Sequence, residues 1–239
     1  MDGFLFDLNK IYSENSKKII DYKPRKFYNI FFKRFVDFSA AFILILICFP
    51  FFILIGFIIK SDSKGPVFYR GIRTGYHGKQ FRIFKFRSMV ENAENLGGGT
   101  TALNDPRITP AGNFLRKTKI DETPQLLNIL LGNMSFIGPR PELPKYTDQY
   151  KGLEMVIFDL RPGLTDYSSL HFISLDEIVG EKNADEIFEN SVLQLKNQLR
   201  VKYVLEQNVF VDIKIFFCTV FQVLKKGLSL VFKNNKQTK

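Results

Sequence analysis

Residues 38–59 carry no charged side chain and, apart from Ser39, are apolar or small. Wound as a helix at about 1.5 Å per residue, they would extend about 33 Å, enough to cross the hydrocarbon core of a bilayer. A membrane segment is therefore expected, and the rest of the chain must fold beside it. Pro50 falls inside the run, where it removes one helix hydrogen bond. Lys33 and Arg34 precede the run, and Lys60, Lys64, Arg70 and Arg73 follow it. Lysine and arginine mark the cytoplasmic side, so positive charge at both ends suggests a hairpin that breaks at Pro50 and leaves by the face it entered. A straight span with a tolerated proline kink is the alternative.

The charge balance says what such a chain meets. There are 34 basic and 24 acidic residues, a net +10, which calls for an anionic partner: nucleic acid, a phosphorylated small molecule or anionic lipid. Cys48 and Cys218 each lie in an apolar run, so no disulfide framework is expected. His77 and His171 are far apart and read as ordinary loop or surface residues. The triple glycine at 97–99 lacks the Lys-Ser or Lys-Thr of a Walker loop.

Two acids, Asp121 and Glu122, stand just before Thr123-Pro124-Gln125-Leu126. Thr123 is expected to cap a helix with Pro124 in its first turn and Gly132 at its end. Free amides and the helix dipole favour anions there, so carboxylates at that point suit a site that also holds a cation: phosphate plus metal. Simple helix stabilisation by acids is the plain alternative. Two further groups could share phosphate charge. Residues 67–89 read as a β-hairpin turning at Gly75 and Gly78, with Lys85 and Arg87 on one face of the returning strand. Gly138-Pro139-Arg140-Pro141-Glu142 fixes the backbone around one guanidinium, a rigid mount for a bidentate phosphate contact. A charged strand edge and an ordinary proline turn are the plain alternatives.

Elsewhere, residues 1–32 are expected to form either an interfacial helix or a loose arm, and 91–112 a short helix followed by loops. Ser174 and Glu177 form a capping-box pattern. Helices are expected over 185–207 and 209–224, the latter with an apolar stripe and terminal Lys225 and Lys226 that suit either a membrane surface or the core. The tail is polar.

Together these pieces resemble the bacterial sugar transferases that are monotopic polyprenyl-phosphate phosphoglycosyltransferases. The resemblance runs from about Lys33 to Lys226. It rests on Lys33-Arg34, Asp37, Pro50, Tyr69, Arg73, Lys85-Phe86-Arg87-Ser88-Met89, Asp105, Arg107-Ile108-Thr109, Leu115-Arg116, Asp121-Glu122, Pro124-Gln125-Leu126, Gly138-Pro139-Arg140-Pro141 and Pro162-Gly163. Three departures stand out: Phe49 where a serine is frequent, Thr123 where leucine is common, and Thr165-Asp166-Tyr167 in place of a frequent Thr-Gly-Trp.

The resemblance implies transfer of a sugar phosphate from a UDP-sugar to polyprenyl phosphate, at the cytoplasmic face of the bacterial plasma membrane. It implies Asp121 as nucleophile, Glu122 as its support and a ligand of Mg²⁺ with it, and a re-entrant helix broken at Pro50. Lys85, Arg87, Arg116 and Arg140 are the expected phosphate-binding residues. The expected fold is α+β and mostly helical: a re-entrant membrane helix hairpin and a small cytoplasmic catalytic domain with a β-hairpin and interfacial amphipathic helices. Its expected divisions are 1–32, 33–60, 61–226 and 227–239. Expected partners are the UDP-sugar, polyprenyl phosphate and membrane lipid; two copies associating as a homodimer stays open. No nucleic-acid-reading motif accompanies the charge, so nucleic acid is not expected. A membrane-bound Mg²⁺-dependent nucleotide-diphosphate hydrolase and a basic membrane-tethered binding protein are the alternatives.

Overall fold

The computed structural model of the protein describes residues 7–25 and 27–237. Asp7 accepts the Asn9 amide at 2.9 Å and so caps α1 (Leu8–Lys18). Ile11 is buried, Asn15 Nδ2 donates to the Gln198 carbonyl at 2.9 Å, and Lys18 pairs with Glu206. Residues 1–32 thus contain a docked helix, not a loose arm.

Next comes α2 (Lys33–Asp62), continuous in its helical assignment through Pro50 and preceded without a break by a π-helical turn at Tyr28–Phe32. Its first end is tied down by polar contacts. Arg34 donates to the carbonyls of Ile129 and Leu130, Asp37 accepts the Phe136 amide at 3.2 Å, and Lys33 pairs with Asp212. Tyr28 and Tyr203 both donate to that same Asp212, each at 2.7 Å. At the other end Asp62 accepts the Ala111 amide at 3.3 Å.

The expected hairpin is present in two antiparallel pieces. β1 (Phe68–Tyr69), β2 (Ile72–Thr74), β3 (Gln80–Arg82) and β4 (Lys85–Phe86) pair with Phe68 opposite Phe86 and Thr74 opposite Gln80. His77 and Gly78 turn the chain at φ 54° and 73°, a conformation a glycine adopts without strain.

Residues 91–112 differ from expectation. Only a 3₁₀ turn forms at Ala93–Asn95, and the helix lies at the far end, α3 (Pro110–Lys117). Its signal was present in the sequence: Thr109 Oγ1 accepts the Gly112 amide at 3.0 Å and Pro110 occupies the first turn. α4 (Gln125–Leu130) follows, and Gly132 ends it at φ 84°.

β5 (Ser135–Ile137), α5 (Pro144–Thr147) and β6 (Gly163–Thr165) come next, with β6 parallel to β5 and Ser135 opposite Gly163. That parallel pair is not legible from local pattern. Then come α6 (Tyr167–His171), α7 (Leu175–Val179) and α8 (Ala184–Ile187), which runs through a π turn at Phe188–Val192 into α9 (Leu193–Glu206). Ser174 does not cap α7; its hydroxyl accepts Lys226 Nζ at 3.0 Å. α10 (Val209–Gln237) continues past the expected end at 224 through most of the polar tail.

The core joins the membrane-type helix to the body. Ala41, Ile45 and Phe52 of α2 pack with Leu126, Ile129, Met134 and Ile83, and Ile59 packs with Phe86 and Leu115. A second cluster links Ile137 and Leu160 to Tyr203, Val204 and Ile215. The other side of α2 is left open: Phe35, Phe42, Leu46, Phe49, Leu54 and Phe57 are exposed, as are Phe210, Phe217 and Phe221 of α10. Exposed apolar surface on this scale marks an interaction surface.

Candidate active site

Asp121 and Glu122 lie in a 3₁₀ turn, Ile120–Glu122, between α3 and α4. Lys119 enters it at φ 60°, a left-handed conformation that reverses the chain so that α3 and the acid pair face the same cleft. The expected cap is corrected here. Thr123 Oγ1 donates back to the Ile120 carbonyl at 2.8 Å, and Pro124 precedes the first residue of α4 with no side-chain cap. The carboxylates are therefore held by the turn and not by a capped helix start.

Three elements aim cations at them. Lys85, on β4, donates to Glu122 Oε1 at 2.9 Å. β4 is held at that distance by Asn128 of α4, fully buried, whose Nδ2 donates to the Arg82 carbonyl at 2.9 Å while its Oδ1 accepts the Phe84 amide at 2.7 Å. Arg140 also bonds Glu122 Oε1, and its Nη1 donates to the Leu164 carbonyl at 2.6 Å. Asp166 accepts the Arg140 backbone amide at 3.1 Å and is itself fixed by Ser168 and Ser169. Arg140 lies three residues beyond the end of β5, after Gly138 and Pro139. The close approach of β5 and β6 that places it needs two glycines, since a Cβ on Gly163 would lie 2.1 Å from the Gly138 nitrogen.

The electrostatics separate the two acids. Burial alone would raise the Glu122 pKa, but Arg140 and Lys85 outweigh it and hold the group well below the usual carboxylate range. Asp121 is pushed the other way, first by burial and then by the charge of Glu122, with Lys85, Arg116 and Lys119 pulling partly back. Its carboxylate accepts no hydrogen bond among the described residues, and the residue as a whole is 5 % exposed. Two adjacent acids thus differ in kind: one neutralised and fixed, one unsatisfied and open to a ligand.

Arg116, on α3, is electrostatically linked to Asp121 and comes within 3.5 Å of Ser88 Oγ. Arg87 lines the same cleft, and its Nε and Nη1 have no partner among the described residues. The pairing of β1 with β4 continues through the Arg87 amide, which donates to the Val67 carbonyl at 2.9 Å, but the Arg87 side chain bonds different partners from Lys85. Arg87 is buried under the end of α2, where Nη2 donates to the Ser63 carbonyl at 2.6 Å, to Ser63 Oγ at 3.0 Å and to the Ile59 carbonyl at 3.3 Å. A cation at a helix C-terminus is favoured by the dipole, so Arg87 fastens α2 to the strand that carries Lys85.

Among the described residues no group of three or more His, Cys, Asp and Glu converges on one point. Mg²⁺ needs no such cage. It is commonly held by one or two carboxylates, with substrate phosphates and water completing the shell. An unbonded Asp121 next to Glu122 fits a hard cation that arrives with an anionic substrate.

Behind Arg140 lies a buried network with no local signature. Glu142 accepts from Arg200 at 2.8 Å and from Lys196 at 3.4 Å, and Tyr150 and Asn197 complete it. Burial would raise Glu142, yet Lys196 and Arg200 bring it down to about 2.

A model of the family described as "Bacterial sugar transferase" matches residues 28–226. The chain is similar to the UDP-glucose:undecaprenyl-phosphate glucose-1-phosphate transferase of Escherichia coli (strain K12), with 37% identity over 81% of this chain and 40% of the relative. It is also similar to the UDP-N-acetylgalactosamine-undecaprenyl-phosphate N-acetylgalactosaminephosphotransferase of Aeromonas hydrophila, 34% identical over 81% of this chain and 44% of the relative. With the exopolysaccharide production protein PSS of Rhizobium leguminosarum bv. phaseoli it shares 31% identity over 82% of this chain and 96% of the relative. The chain thus spans about two-fifths of the length of the E. coli and Aeromonas relatives.

Proposed function

This chain belongs to the bacterial sugar transferase family, and from that premise we propose that it transfers a sugar-1-phosphate from a UDP-sugar to polyprenyl phosphate through a covalent intermediate on Asp121. The observation that carries this is the contrast within the acid pair. Asp121 is buried and unbonded, whereas Glu122 is saturated by Lys85 and Arg140. A free carboxylate among fixed cations is arranged for attack on a phosphorus whose charge those cations share.

In the first half, an Asp121 oxygen bonds to the sugar-bearing phosphorus and the bridging P–O bond breaks, so that UMP leaves with the electron pair. In the second half, a phosphate oxygen of the polyprenyl phosphate bonds to the same phosphorus and the Asp121–P bond breaks, returning the free carboxylate. Neither attacking group carries a proton to be removed once Asp121 is ionised, so no general base is required. Lys85 and Arg140 hold Glu122 and face the diphosphate; Arg116 adds charge from α3. Mg²⁺, held by Asp121 and Glu122 with the substrate, would supply the neutralisation that lets an anion approach an anion.

The test is product analysis in detergent or nanodiscs with UDP-glucose and UDP-N-acetylgalactosamine, with and without polyprenyl phosphate and with and without EDTA. The expected result is UMP together with a polyprenyl-diphosphate sugar, lost on chelation and restored by Mg²⁺. Free sugar-1-phosphate formed equally well without the lipid would instead identify a hydrolase.

The same reading puts the enzyme on the cytoplasmic face of the bacterial plasma membrane, with α2 entering and leaving by that face. Support comes from the two ends of α2, which bond to one body: Arg34 to the end of α4, Asp62 to the start of α3. α2 is continuous through Pro50, and a straight crossing would put the α4 and α3 contacts of its two ends on opposite faces of the bilayer. In a background lacking Cys48 and Cys218, single cysteines at Lys23→Cys and Lys64→Cys should both react with a membrane-impermeant maleimide in inside-out vesicles and neither in right-side-out ones. Labelling from opposite sides would establish a span.

A further inference from the structure

Lys196 lines the same cleft as Asp121 and Arg140. It projects from α9 with its stem over the Phe188 ring, Nζ 4.7 Å from the centroid, and its side chain is 10 % exposed. Its one ion-pair partner, Glu142, is 3.4 Å away and already belongs to Arg200 at 2.8 Å. Arg200 is fully buried and is further held by Asn197 and Tyr150, so the Glu142–Arg200 pair is complete without Lys196. An ammonium is expensive to bury beside a carboxylate that is neutralised elsewhere, and doing so at the wall of a cleft makes sense where an anion arrives.

The position says which anion. Arg140 bonds Glu122, the neighbour of Asp121, and Glu142, two residues further along the same loop, pairs with Lys196 at 3.4 Å. Lys196 is thus the cation that follows Arg140 along the cleft, where a diphosphate bound by one phosphate at Asp121 would meet it with the other. Resting on the transferase reading above, we propose that Lys196 binds the nucleotide-side phosphate of the UDP-sugar, the group that departs with UMP. Lys85 and Arg140 serve the reacting phosphorus, and Lys196 holds the leaving group.

Burial brings Lys196 down to about 8, less Glu142's counter-effect, with Arg200 and Arg140 adding to the fall and Asp166 opposing it. The groups that face it are Glu142 and Arg140 from the loop after β5, Asp166 after β6, Phe188 from the π turn and Arg200 from its own helix. Lys196 therefore loses its charge as the pH rises through about 8, whereas Arg140 and Arg200 are raised and Glu142 is lowered, away from that range. Lys85, which lines the same cleft, is also lowered by burial, so a charge-retaining variant is needed to separate the two.

The experiment is UDP binding by calorimetry to the full-length protein in nanodiscs, for wild type, Lys196→Met and Lys196→Arg at pH 7.5 and 9, beside the KM for polyprenyl phosphate. Lys196→Met should weaken UDP binding about tenfold at pH 7.5, the loss of one charge-assisted contact, and leave the lipid KM unchanged. Wild type should lose most of that affinity by pH 9, and Lys196→Arg should lose less. The Met variant keeps Glu142 paired with Arg200, so it should fold; if it does not, the pH comparison of wild type with Lys196→Arg decides alone. Unchanged UDP binding in Lys196→Met, identical pH dependence in Lys196→Arg and wild type, or a raised lipid KM with UDP binding intact would each overturn the proposal. Wild type that binds no UDP at all would overturn the transferase reading with it.

Discussion

Asp121→Asn is expected to lower turnover by on the order of 10⁴-fold or more while leaving the thermal unfolding of the protein within a degree or two of wild type. The amide matches the carboxylate in size, and the position accepts no hydrogen bond among the described residues, so little that holds the fold is removed. What is lost is the oxygen that bonds to phosphorus. Wild type given UDP-sugar without lipid should release about one UMP per active site and stop, and its trapped form should carry the mass of a sugar phosphate at Asp121. Full activity without that burst would favour direct transfer from donor to lipid. The pH profile adds a signed check. Because burial and Glu122 raise the Asp121 pKa, the rate should fall on acidification at a higher pH than an ordinary aspartate would give. Glu122, held low by Arg140 and Lys85, should not contribute to that limb.

Glu142→Gln is the counterpart in stability. The carboxylate is 12 % exposed and pairs with two cations of α9, and its pKa of about 2 lies below the unfolded value near 4.5. A group depressed on folding stabilises above its unfolded pKa, and that contribution is lost as pH falls through the folded one. From the size of the shift, it contributes about 3 kcal/mol at neutral pH, and the variant also leaves Arg200 buried without its anion. Thermal or denaturant unfolding at pH 7 should show Glu142→Gln destabilised by that amount, with the gap to wild type closing as the pH is taken from about 4.5 toward 2. A gap that did not depend on pH would mean that shape, not charge, is what Glu142 supplies. Because Glu142 sits two residues after Arg140, a moderate loss of activity should accompany the loss of stability.

How much of this was written locally can be judged residue by residue. The apolar run of α2, the hairpin and the stop at Gly132 follow from periodicity and turn chemistry within a few residues, and each is found. The rigid mount of Arg140 was legible because Pro139 and Pro141 flank it, whereas the turn that holds the acid pair, entered through Lys119 at φ 60°, was not. The bonds of Arg87 to Ser63 were not legible, because they need the end of α2 to fold back over the strand. α3 was missed although Thr109-Pro110 announced it, its eight residues being too few to build a clear apolar period.

The sequence by itself determined that the chain has a membrane-type helix, a surplus of positive charge and two adjacent acids ahead of a helix, since hydropathy, charge and chain order belong to residues and their near neighbours. Only the tertiary structure decided that Glu122 would be neutralised and Asp121 left open, that Arg87 would fasten α2, and that α1 would dock on α9. Those outcomes depend on partners from 18 to 183 residues apart, as in Arg140–Glu122 and Asn15–Gln198. Chain entropy makes such meetings conditional on the whole core closing, so no local pattern encodes them.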